Sequence, residues 1–291
     1  MEYTKVFQAG FNDRLFEIEC NDNNGYNLAQ FLFSDFPGTQ SRSFLKRYRI
    51  LSLGAAPMLS LWDGEKLLYH GESPYQLAYI LMNEVIFHCI DKNERQHAIH
   101  AGAVADDNCC IILPGKSGSG KSTLTTWLVK NGFSYLSDEL VFLEKDGSMM
   151  PLTRPINLKV DREHESWLLP EDFGGRIISC AKGSMIPHRL VNNRFSLEQR
   201  KVTHIIFPKF IKGAAVEFGQ ISPAKSCLFL VQSYVNARNL NNMGMSDLSS
   251  IVRQCRSYTL TYGSFDDLEN IFLRPSAGPD FLECHDKISA S

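Results

Sequence analysis

At 291 residues, with 44% hydrophobic and 21% charged residues, the chain is long enough for one large domain or a domain with a smaller companion, and ordinary enough to bury a core. A formal net charge of −2 leaves no electrostatic footprint for nucleic acid or an anionic membrane, so neither is an expected partner. No apolar run approaches the ~18 residues of a membrane span, and Met1–Phe7 lacks the apolar core of an export signal, so the expected location is cytoplasmic.

The eight cysteines, at 20, 89, 109, 110, 180, 227, 255 and 284, form no C-x-x-C pair and sit mostly in apolar segments. They read as free buried thiols. Cys284-His285 has no further residues at metal-ligand spacing.

Up to about Asn93 the chain carries no chemical motif. Leu15 to Cys20 alternates like a strand, and Asn21 to Gly25 reads as a turn cluster. A short helix from Asn27 to Phe33 and a strand from Tyr48 to Leu53 follow. Two apolar runs flanking Asp63-Gly64 predict a hairpin. Leu77, Ile80, Leu81, Val85, Ile86 and Cys89 fall near helical spacing, which predicts a helix from Pro74 to Ile90. This stretch reads as a small α/β N-terminal region, residues 1–94.

The polar break at 91–95 precedes Ala98 to Ala105, a strand of small residues that includes His100. Asp106-Asp107-Asn108 turns it back into the apolar run Cys109 to Leu113. Directly after that run comes Gly115-Lys116-Ser117-Gly118-Ser119-Gly120-Lys121-Ser122-Thr123. It fits the pattern G-x-x-x-x-G-K-[ST], and strand, loop and helix follow in the required order. The glycines let successive backbone N–H groups face an anion, and the helix that the loop opens favours negative charge at its start. Lys121 would reach the β- and γ-phosphates of a nucleotide, and the Ser122 hydroxyl would face Mg²⁺. His100 reads equally as a core histidine or as a residue of the site, because its hairpin returns to the loop. The helix runs to Lys130 and stops at Gly132.

Ser134 to Leu143 is expected as one strand with Asp138 and Glu139 in its middle. Buried carboxylates need compensation, which Mg²⁺ or Lys121 would supply. Neighbouring strand residues point to opposite faces, so the two can share a site only at an irregularity.

Asp146-Gly147 predicts another hairpin. Arg154 and Lys159 are candidates for phosphate or substrate contact, with plain surface solvation as the alternative. A short helix near Glu163 to Leu169, a loop at Asp172 to Gly175, and a loop at Cys180 to Ser184 carrying Lys182-Gly183 follow. Val202 to Pro208 reads as a strand with Ala215 to Phe218 as its partner. Ser222-Pro223 caps a helix to about Tyr234, and a helix from Asp247 to Cys255, a strand from Tyr258 to Tyr262, a helix from Phe265 to Leu273 and a tail complete the chain.

Taken as a set, several of these stretches resemble the HPr kinase/phosphorylase family, and more closely its relatives called HPr-kinase-related kinase A. They are Ile99 to Val104, Leu113 to Thr123, Gly132 to Leu140, Arg154 to Lys159, Lys182-Gly183 and Ile206 to Pro208, with Ser34-Asp35-Phe36 in the N-terminal part. The resemblance implies a P-loop kinase core of the HPr kinase / phosphoenolpyruvate carboxykinase type over residues 95–291, using ATP and Mg²⁺. It implies Asp138 as catalytic base, Glu139 as metal ligand with Ser122, and His100 as the histidine ahead of the loop. Arg154 and Lys182 are expected to approach the transferred phosphoryl group. The acceptor implied is a hydroxyl, a serine of a protein or peptide. Two other readings stand beside it: a small-molecule P-loop kinase, and a nucleotide-binding regulator without transfer chemistry. The chain departs from HPr kinase at Thr123, where that enzyme has Glu, and it lacks the C-terminal signature of that enzyme. A homo-oligomer is compatible with this reading.

Overall fold

The computed structural model describes residues 5–41, 44–53, 58–159 and 176–273. The short helix expected at 163–169, the loop at 172–175, and the tail with Cys284-His285 lie outside them. The fold is mixed α/β with several sheets. The chain divides into two units that alternate along the sequence: Met1–Lys92 with Leu152–Leu190, and Asn93–Pro151 with Val191–Ser291. The boundary expected near residue 94 falls beside the Lys92–Asn93 junction, while Leu152–Leu190 goes with the first unit.

The first unit is built on a six-stranded sheet of order β3-β1-β2-β4-β5-β6. Its strands are β1 (Lys5–Asn12), β2 (Arg14–Cys20), β3 (Gly38–Thr39), β4 (Phe44–Leu53), β5 (Met58–Asp63) and β6 (Lys66–Gly71). The pairs β1–β3 and β2–β4 are parallel and the others antiparallel. Phe16, Ile18 and Cys20 on β2, with Tyr48 and Ile50 on β4, are fully buried on alternate positions, which makes one sheet face the core. Two helices carry the matching apolar residues. In α1 (Asn23–Phe33) these are Leu28, Ala29, Leu32 and Phe33. In α2 (Pro74–Ile90) they include Leu77, Leu81, Val85 and Cys89. The helix α1 starts at Asn23 rather than Asn27, because Asp22 caps it by accepting from the Gly25 N–H at 2.9 Å. The turn cluster read from sequence is therefore a helix start.

Three short strands complete this unit after the excursion through the second one. They are β13 (Ile156–Leu158), β14 (Ile178–Cys180) and β15 (Gly183–Ile186), in the order β13-β15-β14, followed by the single turn α4 (His188–Val191). Two sets of polar contacts tie this segment to the N-terminal part. The Tyr75 hydroxyl donates to Asn157 Oδ1 at 3.0 Å. Asp35 accepts from Arg189 through Nε and Nη2, at 2.9 and 2.7 Å, and lies 3.0 Å from His188 Nε2, while the Thr153 hydroxyl donates to the Asp35 carbonyl.

The second unit holds the sheet β10-β8-β9-β17-β19-β18. Its strands are β8 (Ala101–Ala105), β9 (Cys110–Pro114), β10 (Ser134–Ser137), β17 (His204–Phe210), β18 (Glu217–Gln220) and β19 (Arg256–Tyr262). The central β9, β17 and β19 are parallel. A four-stranded antiparallel sheet, β16-β12-β11-β7, is made from β7 (His97–Ile99), β11 (Val141–Leu143), β12 (Ser148–Met150) and β16 (Arg200–Lys201). The helices are α3 (Lys121–Lys130), α5 (Pro223–Val231), α6 (Met245–Gln254) and the short α7 (Glu269–Phe272). Ile99, Ala103, Ile112, Leu136, Val141, Ile205, Leu248 and Ile251 form its core.

Three differences from the sequence reading matter. The strand expected at 98–105 is two strands, β7 and β8, in different sheets. The strand expected at 134–143 is likewise β10 and β11. The segment at 217–220 pairs with β19, not with β17. The cysteines at 20, 89, 109, 110, 180, 227 and 255 are all free, as expected.

The cluster around Asp35 makes stability depend on pH. Burial pushes the His188 imidazole down from 6.5 to about 4, against the opposing pull of Asp35. Burial alone would raise Asp35, but its Arg189 hydrogen bonds and the His188 and Arg189 charges hold it below 3.8. Each group binds more protons in the unfolded chain, His188 between about pH 6.5 and 4 and Asp35 below that. Stability therefore falls as the pH falls. Between pH 7 and 4, wild type should lose on the order of 2 kcal/mol more than His188→Gln, read from urea unfolding at each pH. Parallel losses in the two proteins would show that His188 is not held neutral.

Candidate phosphate site

The β8–β9 hairpin delivers the chain into the loop at Gly115, whose N–H donates to the His100 carbonyl at 3.5 Å. Inside the loop the Ser119 N–H donates to the Lys116 carbonyl, and the Ser119 carbonyl accepts from the Phe210 N–H, both at 3.1 Å. Gly118 and Gly120 are left-handed, with φ of 85° and 89°. A Cβ on Gly120 would lie 2.5 Å from the Tyr262 hydroxyl and 3.0 Å from Phe210 Cβ. That hydroxyl donates to the Gly120 carbonyl at 3.2 Å, so β19 fixes the loop where α3 begins.

Lys121, Ser122 and Thr123 form the first turn of α3. Lys121 is 5% exposed, and its Nζ donates to the Lys116 carbonyl at 3.1 Å. The ammonium thus lies folded along the loop's own backbone. Lys116 and Ser117 are exposed, whereas the Ser119 hydroxyl is buried with no hydrogen-bond partner among the described residues. An orphaned buried hydroxyl in a glycine-rich turn fits an anion acceptor at that point.

The acidic pair sits at the break between β10 and β11. Asp138 is fully buried and accepts from the Ser122 hydroxyl at 3.0 Å. Glu139 has φ of 83°, a left-handed conformation that costs a residue with a Cβ about 1–3 kcal/mol. That turn sends its side chain to His100, with Glu139 Oε1 3.0 Å from His100 Nε2. The Glu139 side chain is 46% exposed and that of His100 27%. The irregularity required for the two carboxylates to share a region is therefore present, at Glu139 itself. His100 occupies the matching break between β7 and β8, where its N–H donates to the Ser233 carbonyl at 2.7 Å.

The structure thus brings together Gly115 to Thr123, His100, Asp138 and Glu139. It pairs Ser122 with Asp138 and His100 with Glu139, whereas the sequence reading joined Ser122 to Glu139. Arg154 and Lys182 belong to the first unit. Arg154 is 3% exposed there, and Lys182 lies at the exposed turn between β14 and β15. Sequence reasoning missed Tyr262 and Thr125. The fully buried Thr125 packs so close to β8 that a Cβ on Gly102 would lie 2.2 Å from its Oγ1. The small residues of β8 were the available signal for that close approach.

No family model and no curated protein sequence matches the chain. Among solved structures it is similar to the HPr(Ser) kinase/phosphatase from Coxiella burnetii. The identity is 12% and the TM-score 0.32, covering 60% of this chain and 91% of that one. At that distance the likeness carries no argument about family or function, and function has to be read from the loop and the groups around it.

The loop geometry separates two kinds of glycine. Gly118→Ala meets nothing within 4 Å and should cost only the left-handed penalty, about 1–2 kcal/mol. Gly120→Ala adds a clash with Tyr262 and Phe210 and should cost clearly more, about 3 kcal/mol or above. Thermal melts of the two variants check this, and equal costs would contradict the packing of β19 on the loop.

Proposed function

We propose that the protein is a Mg²⁺-dependent kinase that transfers the γ-phosphoryl group of ATP to a hydroxyl group. The observation that carries this reading is the Ser122–Asp138 hydrogen bond beneath a glycine-rich loop that opens a helix. A buried carboxylate beside the hydroxyl that follows the loop lysine is the donor set that P-loop enzymes use for magnesium. The orphaned Ser119 hydroxyl and the left-handed glycines make the loop a fit for phosphate oxygens.

The chain's own residues then divide the work. The backbone N–H groups of the loop and the start of α3 hold the nucleotide's phosphates. Lys121 leaves the Lys116 carbonyl for a phosphate oxygen, exchanging a neutral acceptor for a charged one. Ser122 and Asp138 would hold Mg²⁺, which would neutralise charge on the phosphates. Glu139 takes the proton of the acceptor hydroxyl as its oxygen bonds to the γ-phosphorus and the bond to the ADP oxygen breaks. A general base has to come within hydrogen-bond reach of its proton. Glu139 is open to an incoming hydroxyl, with 46% of its side chain exposed, whereas Asp138 is fully buried and bonded to Ser122, which favours Glu139 for this role. His100 orients Glu139. This exchanges the roles expected from the sequence for the two carboxylates. A serine hydroxyl of a protein or peptide is the first acceptor class to test, with γ-labelled ATP and a cell extract.

Three variants test the reading in such a transfer assay. Lys121→Ala should abolish transfer and weaken ATP binding. Glu139→Gln should lower turnover by about 10²–10⁴-fold with ATP affinity little changed, the usual contribution of a general base. Asp138→Asn should raise the Mg²⁺ requirement. If excess Mg²⁺ rescues Glu139→Gln and not Asp138→Asn, the roles are the reverse. Full activity in all three would remove the kinase assignment.

A further inference from the structure

Among the described residues, one cluster in the first unit gathers three metal-ligating side chains, Asp63, Glu84 and His88, all half-buried. Local structure puts them there. Glu84 and His88 stand about one helical turn apart on α2, so they lie on the same face of that helix. Asp63 ends β5, a strand that α2 packs against. The candidate ligand atoms all lie within 4.8 Å of one another. Around tetrahedral zinc, bonds of about 2.0–2.2 Å put neighbouring ligand atoms roughly 3.3 Å apart, so small side-chain rotations close the set.

A second observation points into the same place. Tyr48 stands directly opposite Asp63 in the β4–β5 pairing, so the two side chains leave the same face of the sheet. Tyr48 is fully buried, and its hydroxyl has no hydrogen-bond partner among the described residues. Burial pushes this phenol up, and the charges of Glu84 and Asp63 push it further, which places the hydroxyl beside both carboxylates. A buried donor left without an acceptor is costly, so a group drawn into the cluster has something to satisfy.

The surrounding charges suit a cation. Asp63 Oδ2 accepts from Lys46 Nζ at 2.7 Å, and Arg14 donates to the His88 carbonyl. Asp91 is a further anion acting on His88. Three carboxylates against these two cations leave the region negative. A carboxylate has two oxygens, so Asp63 can keep Lys46 on one and offer the other. Burial, then the Lys46 charge, hold the His88 imidazole below 6.5 against the pull of Glu84, Asp63 and Asp91. At pH 7 the ring is therefore neutral and has a lone pair to give a metal.

We propose that Asp63, Glu84 and His88 form a zinc site that fastens α2 to β5, with the Tyr48 hydroxyl donating to one of the ligating carboxylates. An imidazole nitrogen among the ligands suits Zn²⁺ better than Mg²⁺, which favours an all-oxygen shell. Three protein ligands leave the fourth position to water. A hydrogen bond from Tyr48 to a ligand is the kind of outer contact that orients metal ligands. The site draws on no residue of the phosphate loop and does not require the kinase reading to be right.

The test is equilibrium dialysis of the chelator-treated full chain against Zn²⁺, with excess Mg²⁺ present to fill the site proposed at Ser122 and Asp138. Wild type should hold one more Zn²⁺ per chain than His88→Ala or Glu84→Gln. Zn²⁺ should also raise the unfolding temperature of wild type more than that of either variant. Tyr48→Phe keeps the ring and removes only the hydroxyl, and it should weaken the extra binding by about 10–100-fold. Glu84→Gln preserves side-chain shape, so it keeps the test valid if His88→Ala does not fold. Equal uptake and equal stabilisation in wild type and the ligand variants would overturn the site. Undiminished affinity in Tyr48→Phe would overturn the place given to the hydroxyl.

Discussion

The hydrogen bond from Ser122 to Asp138 is the constraint around which the second unit is arranged. A fully buried carboxylate is expensive unless its oxygens find donors. The first turn of α3 supplies one, and it can do so only if the helix lies close over the end of β10. Gly102 and the alanines of β8 make that approach possible, since a single added Cβ at 102 would overlap Thr125. On the other side, Tyr262 and the backbone of Phe210 fix the loop just ahead of Lys121. Small residues, a buried acid and an aromatic hydroxyl therefore act together to hold a phosphate-shaped turn in place before any ligand arrives.

The pairing of Glu139 with His100 follows from strand register. Ser137 faces Ala103 in one sheet, and Val141 faces Ile99 in the other. The two long strands thus change sheets at the same level, and the residues between those pairs, 138–140 and 100–102, oppose each other at the crossover. This places a histidine and a carboxylate at the one point where neither is committed to a ladder. The strained backbone of Glu139 is the local cost of that arrangement, and it is the feature that turns adjacent acids toward different partners.

Much of the second unit was legible because its signals are local. The loop motif, the Ser222 cap and the turn at Asp146-Gly147 each act within a few residues. The breaks at His100 and at 138–140 were not legible as strand ends, because apolar residues resume close on both sides of each and no glycine or proline stands at 100 or at 138–140. Nor could the sequence show that Leu152–Leu190 returns to the first unit. That return is held by Tyr75 on Asn157 and by Asp35 on Arg189, contacts between residues far apart in the chain. Arg154 was singled out as a cation from its motif alone, and only the fold shows it as a buried wall of a cavity.

The central claim is that the loop from Gly115 to Thr123 grips the distal phosphates of a nucleotide. Thermal unfolding measured with ATP and Mg²⁺, with ADP and Mg²⁺, with AMP and with adenosine tests it most directly. Ligands carrying a β-phosphate should raise the unfolding temperature far more than AMP or adenosine, because the proposed grip of Lys121 and Mg²⁺ is on the β- and γ-phosphates. Equal stabilisation by AMP, or no stabilisation by ATP with Mg²⁺, would contradict the account.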